Sequence, residues 1–250
     1  MKGIAMEPND RMGTTRRAFL RAVGTGIALG ALPLATRGAE AGLKVGVIGS
    51  GRIGGNLGEI WLKAGHEVMF SSRHIEHDRE LAQRLGGKAH AGSPREATVF
   101  GEVVLMAVPY GALPELGRNL ADVLKGKPVI DACNPFVHRD GEIATWARGK
   151  GAGLASAELL PGAHIVRAFN AISYARLPDI ATRKGGEPTG MPMAGNDAKA
   201  IAVASRLVRD AGFEPVLVGD LAFGKHLIPG TPLAGEHSPE EIRKIAATLR

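Results

Sequence analysis

From position 44 onward the chain alternates between two kinds of hydrophobic pattern. Short apolar runs, most of them rich in β-branched residues, stand at 44–48, 67–70, 103–108, 128–132, 163–169 and 214–218; 88–91 reads as a further short strand and 191–197 as a strand running into a helix start. Such runs predict strands buried on both faces. Between them, apolar residues recur at helical spacing. Ile53, Leu57, Ile60 and Trp61 do so up to Ala64-Gly65, and 77–85 reads the same way. Ser93-Pro94-Arg95-Glu96 is a capping box with Pro at the first helical position, opening a helix to Phe100. The next helix spans 112–124 and puts Leu113, Leu116, Leu120 and Leu124 on one face. An amphipathic helix over 198–211 takes Asn196 or Asp197 as its cap, and Ser238-Pro239-Glu240-Glu241 opens a terminal helix to Arg250. The segment 136–162 reads as a Gly-rich polar connection. The segment 173–190, with Pro178, Gly185, Gly186 and Pro188, reads as a surface excursion near the site. Strand and helix in alternation predict an α/β fold: a doubly wound, mainly parallel sheet with helices on both faces and ligands at the strands' carboxyl ends.

The first strand runs straight into Gly49-Ser50-Gly51-Arg52-Ile53-Gly54, a G-x-G-x-x-G spacing. Gly49 allows the tight turn, Gly51 lets a pyrophosphate approach the backbone, and Gly54 lets the helix pack close to the sheet. With 35 glycines in the chain, the spacing alone is weak. Set between a strand and a helix in a βαβ unit, it is a strong dinucleotide signature of the Rossmann type.

The end of the second strand selects the dinucleotide. An NAD site calls for an Asp or Glu there to accept from the ribose hydroxyl. This chain has Ser71, Ser72, Arg73 and His74, hydroxyls and a guanidinium suited to a 2′-phosphate, so the expected cofactor is NADP. Further along, Ala107, Val108, Pro109 and Tyr110 end the fourth strand as a wall beside the cofactor. Pro109-Tyr110 also reads as an ordinary strand-ending turn. After the fifth strand, Asn134 can hydrogen-bond a carboxamide or a ribose. Cys133 reads as a small buried residue, since nothing in the sequence activates it.

Composition changes the picture mainly at the amino terminus. Thr14-Thr15-Arg16-Arg17-Ala18-Phe19-Leu20-Arg21 is a twin-arginine pattern, followed by an uncharged run over 22–35 and an A-x-A site at Ala39-Glu40-Ala41. That order predicts an export signal over residues 1–41, a partner translocase of the twin-arginine route and a periplasmic or extracytoplasmic location, with the signal cleaved or kept. Residues 42–250 then form the nucleotide domain with a small carboxyl-terminal extension. The first 41 residues hold six of the 31 Lys and Arg and three of the 25 Asp and Glu, so beyond them the net charge falls from +6 to +3. Neither that charge nor the 4% aromatic content suggests nucleic acid. The single cysteine excludes an intrachain disulfide, and no residue cluster has metal-ligand spacing.

Six blocks in order, VGVIGSGRIGGNLG, VMFSSRH, VLMAVPY, VIDACNPF, IVRAFNAI and MPMAGNDAKA, carry a resemblance. Together they resemble the NADP-dependent reductases of the deazaflavin coenzyme F-420, and the related nucleotide domain of ferric reductases that use flavin. The resemblance covers roughly 43–218. It implies a Rossmann fold with a deazaflavin or flavin laid against the nicotinamide as second substrate. By this resemblance Gly49, Ser50, Gly51, Arg52 and Ile53 hold the pyrophosphate, and Ser72 and Arg73 the 2′-phosphate. Val108, Pro109, Ala132, Asn134 and Ala168 surround the nicotinamide and its ribose. The region 219–226 would help to hold the second ring. Hydride passes directly between two planar rings in such a pair, so no protein acid or base is expected. His164, His226 and His237 are loose candidates only.

Two other readings stand beside this one. One is a reductase of a small imine or keto substrate, against which the absence of a long helical region after the nucleotide unit counts. The other is an exported module that retains NADP without turnover. The sequence leaves the second substrate, the direction of transfer and homodimer formation open.

Overall fold

The computed structural model describes residues 41–249. The expected export signal over residues 1–41 lies outside the described residues, apart from Ala41.

The elements run β1 (Lys44–Ile48), α1 (Arg52–Lys63), β2 (Glu67–Ser71), α2 (Ile75–Leu85), β3 (Ala89–Ala91), α3 (Pro94–Phe100), β4 (Val103–Met106), α4 (Leu113–Leu124) and β5 (Pro128–Asp131). They continue with α5 (Val137–Asp140), α6 (Glu142–Lys150), α7 (Ala152–Leu159), β6 (His164–Arg167), α8 (Leu177–Thr182), β7 (Gly190–Gly195), α9 (Ala198–Asp210), β8 (Glu214–Gly219) and α10 (Pro239–Thr248). Single-turn 3-10 segments precede α4 and α8, and a longer one spans Leu221–His226.

The eight strands form one sheet in the order β3-β2-β1-β4-β5-β6-β7-β8. Pairing is parallel from β3 through β6. The first six strands therefore have the order of a dinucleotide-binding Rossmann sheet, with the reversal between β1 and β4. The β6–β7 pair is antiparallel, joined at Val166↔Gly195 and Arg167↔Ala194. The β7–β8 pair runs parallel within itself. The mainly parallel α/β expectation holds, with these two strands reversed.

Alternate residues of each strand enter two cores. Val45, Val47, Val103, Leu105 and Ile130 pack with Leu57 and Trp61 of α1, and with Ala200, Ala204 and Leu207 of α9. On the other face Ile48, Val104, Met106 and Val129 pack with Leu113, Leu120 and Leu124 of α4 and Ala155 of α7. Leu116 is only partly buried there. A third cluster joins β7 and β8 to α10 through Val216, Val218, Ile242 and Ala246. Both capping boxes form, at Ser93–Glu96 and Ser238–Glu241.

Two stretches differ from the sequence expectation. The expected polar connection over 136–162 contains α5, α6 and α7. Its glycines mislead because Gly141 (φ 62°) and Gly151 (φ 93°) separate short helices, and Gly153 sits inside one. A Cβ on Gly153 would meet the Leu221 carbonyl oxygen at 2.1 Å, so that glycine is set by packing. The looser stretch over 173–190 holds a 3-10 turn at Tyr174–Arg176 and the short helix α8.

Candidate active site at the carboxyl ends of the sheet

β1 ends at Gly49, whose φ of 99° turns the chain sharply; a Cβ there would meet the Ala107 carbonyl oxygen at 2.3 Å. Gly54 is needed for packing, because its Cβ would lie 2.1 Å from the Gly49 carbonyl oxygen. Gly51 is different. It has φ −70° and ψ −156°, which any residue adopts, and a Cβ there would meet nothing within 4 Å. Neither its backbone nor its packing within the protein asks for glycine. It caps the amino end of α1, where backbone N–H groups lack intrahelical partners, so a bare backbone there leaves room for an anion. The loop fits a dinucleotide pyrophosphate.

The glycine loop is tied to the end of β2. Gly49 N–H donates to the Ser71 carbonyl at 2.8 Å. Asp78, on α2 and fully buried, accepts from the Ser50 hydroxyl with one oxygen and from the Ser72 hydroxyl, at 2.8 Å, with the other. Ser72 Oγ also accepts from the His74 N–H at 3.1 Å. Sequence reasoning missed Asp78, which lies on a helix, outside the strand-end tetrad where acids were sought. Its effect is to turn both hydroxyl protons inward. Arg73 is exposed. Ser71 is fully buried and its hydroxyl lacks a partner.

Arg52 stacks on Tyr174, with its guanidinium carbon 5.0 Å from the ring centre and an N–H donated to the phenol oxygen at 2.7 Å. Asn56 donates to the Tyr174 carbonyl at 3.1 Å. The 3-10 turn that opens the 173–190 stretch therefore lies against the start of α1.

Past β4, Ala107 and Val108 are half-buried and Pro109 is exposed. Tyr110 corrects the expected wall. It is fully buried, with its hydroxyl on the Ser156 hydroxyl (3.1 Å) and the Ala152 carbonyl (3.3 Å). Burial, then the neighbouring Asp131, pushes its phenol pKa up, so it is neither a wall residue nor a proton donor near neutrality. The strand-ending-turn reading is the one that fits. Burial likewise raises the Cys133 thiol, an inert core group.

Ala132 and Ala168 bury their methyl groups in the main core just past β5 and β6, so only their backbone can face a ligand. Ile53 is partly buried against the same core. Asn134 and Asn170 follow those strands, linked by a bond from Asn134 Nδ2 to the Asn170 carbonyl at 2.9 Å. Between Ala168 and Asn170, Phe169 has φ 65°, the one non-glycine in the left-handed region among the described residues. Its ring, edge-on to Trp61 and Phe213, holds that conformation. Strain of this kind gathers at functional sites.

Below them lies a buried ion pair. Arg167 Nη1 is 2.6 Å from Asp131 Oδ2, and both side chains are fully buried. Arg167 also donates to the Cys133 and Leu227 carbonyls, each at 3.2 Å. The chain after Leu227 returns past the same end, where Gly235 N–H donates to the Ala171 carbonyl and Gly190 N–H to that of His237. Segment 227–237, rather than 219–226 alone, thus borders the second half of the site. Of the loose histidines, His164 pairs with Asp197 at the opposite end of β6, and His237 contacts the Ala234 carbonyl. His226 has a buried, unpartnered Nε2 and a pKa lowered by burial and then by Lys225. Among the described residues no group of three or more His, Cys, Asp or Glu is placed to hold a metal. No helix among them is long and apolar enough to cross a membrane.

Comparison with known proteins agrees with this geometry. Residues 44–135 match the family of NADP oxidoreductases described as coenzyme F420-dependent. A hypothetical protein from Sinorhizobium meliloti superposes with a TM-score of 0.67 and 27% identity, over 79% of this chain and 95% of that one. An imine reductase from a Pseudomonas species gives 0.52 and 17%, over 83% of this chain and 62% of that one. A pyrroline-5-carboxylate reductase from Coxiella burnetii gives 0.51 and 17%, over 71% and 59%. The chain thus spans only about three fifths of the length of these two reductases, and at such identity the likeness shows the fold. Over residues 44–135 the chain is therefore similar to an NAD(P)-linked oxidoreductase domain, carried on a Rossmann-type sheet.

Proposed function

We propose that the protein is an NADP-dependent oxidoreductase that transfers hydride between NADP(H) and a deazaflavin or flavin. The observation that carries this reading is Gly51, a helix-capping glycine that neither backbone nor packing requires, at the switch point of a sheet where residues 44–135 match an F420-dependent NADP oxidoreductase family. A bound nicotinamide would carry the hydride chemistry. The chain's own part is to bind, orient and exclude water. The Gly49–Gly54 loop and the start of α1 take the pyrophosphate, and Val108 and Pro109 flank the second half of the dinucleotide. With the Ser72 proton committed to Asp78, the 2′-phosphate falls chiefly to Arg73. Arg73→Ala is expected to weaken NADPH binding by about ten- to a hundredfold and NADH binding hardly at all, measured by fluorescence titration. Equal losses for both would remove Arg73 from this role.

The second reading, a reductase of a small imine or keto substrate, is supported by the fold alone. The chain spans about three fifths of the length of the two such reductases compared. A module that retains NADP without turnover is the third reading. We also propose export by the twin-arginine route. Replacing Arg16 and Arg17 together by Lys is expected to leave the protein in the cytoplasm on cell fractionation; unchanged export would contradict that.

A further inference from the structure

Two buried oxygens past β5 and β6 have no hydrogen-bond partner: Oδ1 of Asn134 and Oδ1 of Asn170. Asn134 is 9% exposed and Asn170 1%. An orphan acceptor can arise from a flipped amide, but here the orientation is fixed. Asn134 Nδ2 donates to the Asn170 carbonyl at 2.9 Å, and Asn170 Nδ2 donates to the Cys133 carbonyl at 3.2 Å. Flipping either amide would set oxygen against oxygen. The backbone reinforces the arrangement, since Phe169, strained at φ 65°, aims the residue that follows it, and Arg139 holds the Asn134 carbonyl at 2.9 Å.

Leaving a buried acceptor unpaired is costly, so two on adjacent strand ends call for a donor from outside the chain. These strands belong to the half of the sheet (β4-β5-β6) that takes the second mononucleotide of a dinucleotide. We infer that Asn134 and Asn170 together form an acceptor pair for a planar –NH2 group, the primary carboxamide of the nicotinamide, and that Asn170 is a cofactor-orienting residue alongside Asn134. This rests on the proposed NADP site. A carboxamide held by its two N–H bonds fixes which face of the ring meets the acceptor.

The test compares NADPH with its 3-acetylpyridine analogue, which keeps every phosphate and lacks the N–H donors. Binding of both is titrated to the full-length protein, to Asn170→Ala and to Asn134→Ala. The wild type is expected to prefer NADPH by at least about tenfold, and each variant to lose most of that preference by weakening NADPH alone. Equal affinity of the wild type for both would overturn the inference and assign the oxygens to a buried water. Equal weakening of both dinucleotides in the variants would also overturn it, leaving the asparagines a structural role. Should a variant fail to fold, the wild-type ratio alone decides. Failure of the wild type to bind either dinucleotide would instead sink the reading of the glycine loop, and this inference with it.

Discussion

Gly51→Asn is expected to lower NADPH affinity by about a hundredfold or more while leaving the unfolding midpoint unchanged or slightly raised. The two halves of that expectation have separate causes. Asparagine is among the best helix caps, the backbone at position 51 suits it, and its Cβ meets no protein atom within 4 Å. Its side chain would nevertheless occupy the space in front of the first turn of α1, where the pyrophosphate must come closest. About a hundredfold corresponds to about 2.7 kcal/mol, a modest figure for excluding a doubly charged group from its backbone donors. Gly54→Ala is the contrasting control. Its methyl would sit 2.1 Å from the Gly49 carbonyl, so stability and binding are expected to fall together. Urea unfolding and NADPH titration on both variants separate the cases. Undiminished affinity in Gly51→Asn would show that the cradle is not where the anion sits.

The second large effect concerns the Asp131–Arg167 pair. Arg167→Met is expected to cost about 3–5 kcal/mol, because Asp131 is fully buried and would be left as an uncompensated charge. The Leu227 carbonyl would lose its Arg167 donor as well, and the Cys133 carbonyl would keep only Asn170 Nδ2, loosening the segment after Leu227 that borders the strand ends. Asp131→Asn combined with Arg167→Met is expected to recover part of the loss, since neither position then carries a buried charge. The check is the urea midpoint of the single and double variants. A single variant within about 1 kcal/mol of wild type would contradict the burial of this pair.

The sheet was legible in the sequence because strands buried on both faces, such as Val103–Met106, are unbroken apolar runs; the half-buried β3 and β8 were placed by their position in the alternation of strand and helix. The reversal of β7 was not, since an apolar run such as Gly190–Gly195 carries no sign of its direction. The helices α5 to α7 were hidden by glycines that serve turns and close packing, which composition alone cannot tell from a flexible connection. At the site, the glycine loop was readable because its spacing and its strand-to-helix setting are local. Tyr110 was misplaced because side-chain direction after a strand depends on α7, more than forty residues away. Asp78, Asn170 and the strained Phe169 had no local signal at all. Each owes its place to a partner brought in by the fold: Ser50, Cys133 and Trp61 respectively.

The central claim is that this sheet binds NADPH and passes its hydride to a flavin-like ring. Its most direct test is to titrate the full-length protein with NADPH and follow nicotinamide absorbance, alone and then with an oxidised deazaflavin or an oxidised flavin. The expected result is saturable binding, with absorbance lost on adding one of the two ring systems. Binding with no loss on either ring would contradict the hydride transfer, and no binding at all would contradict the site itself.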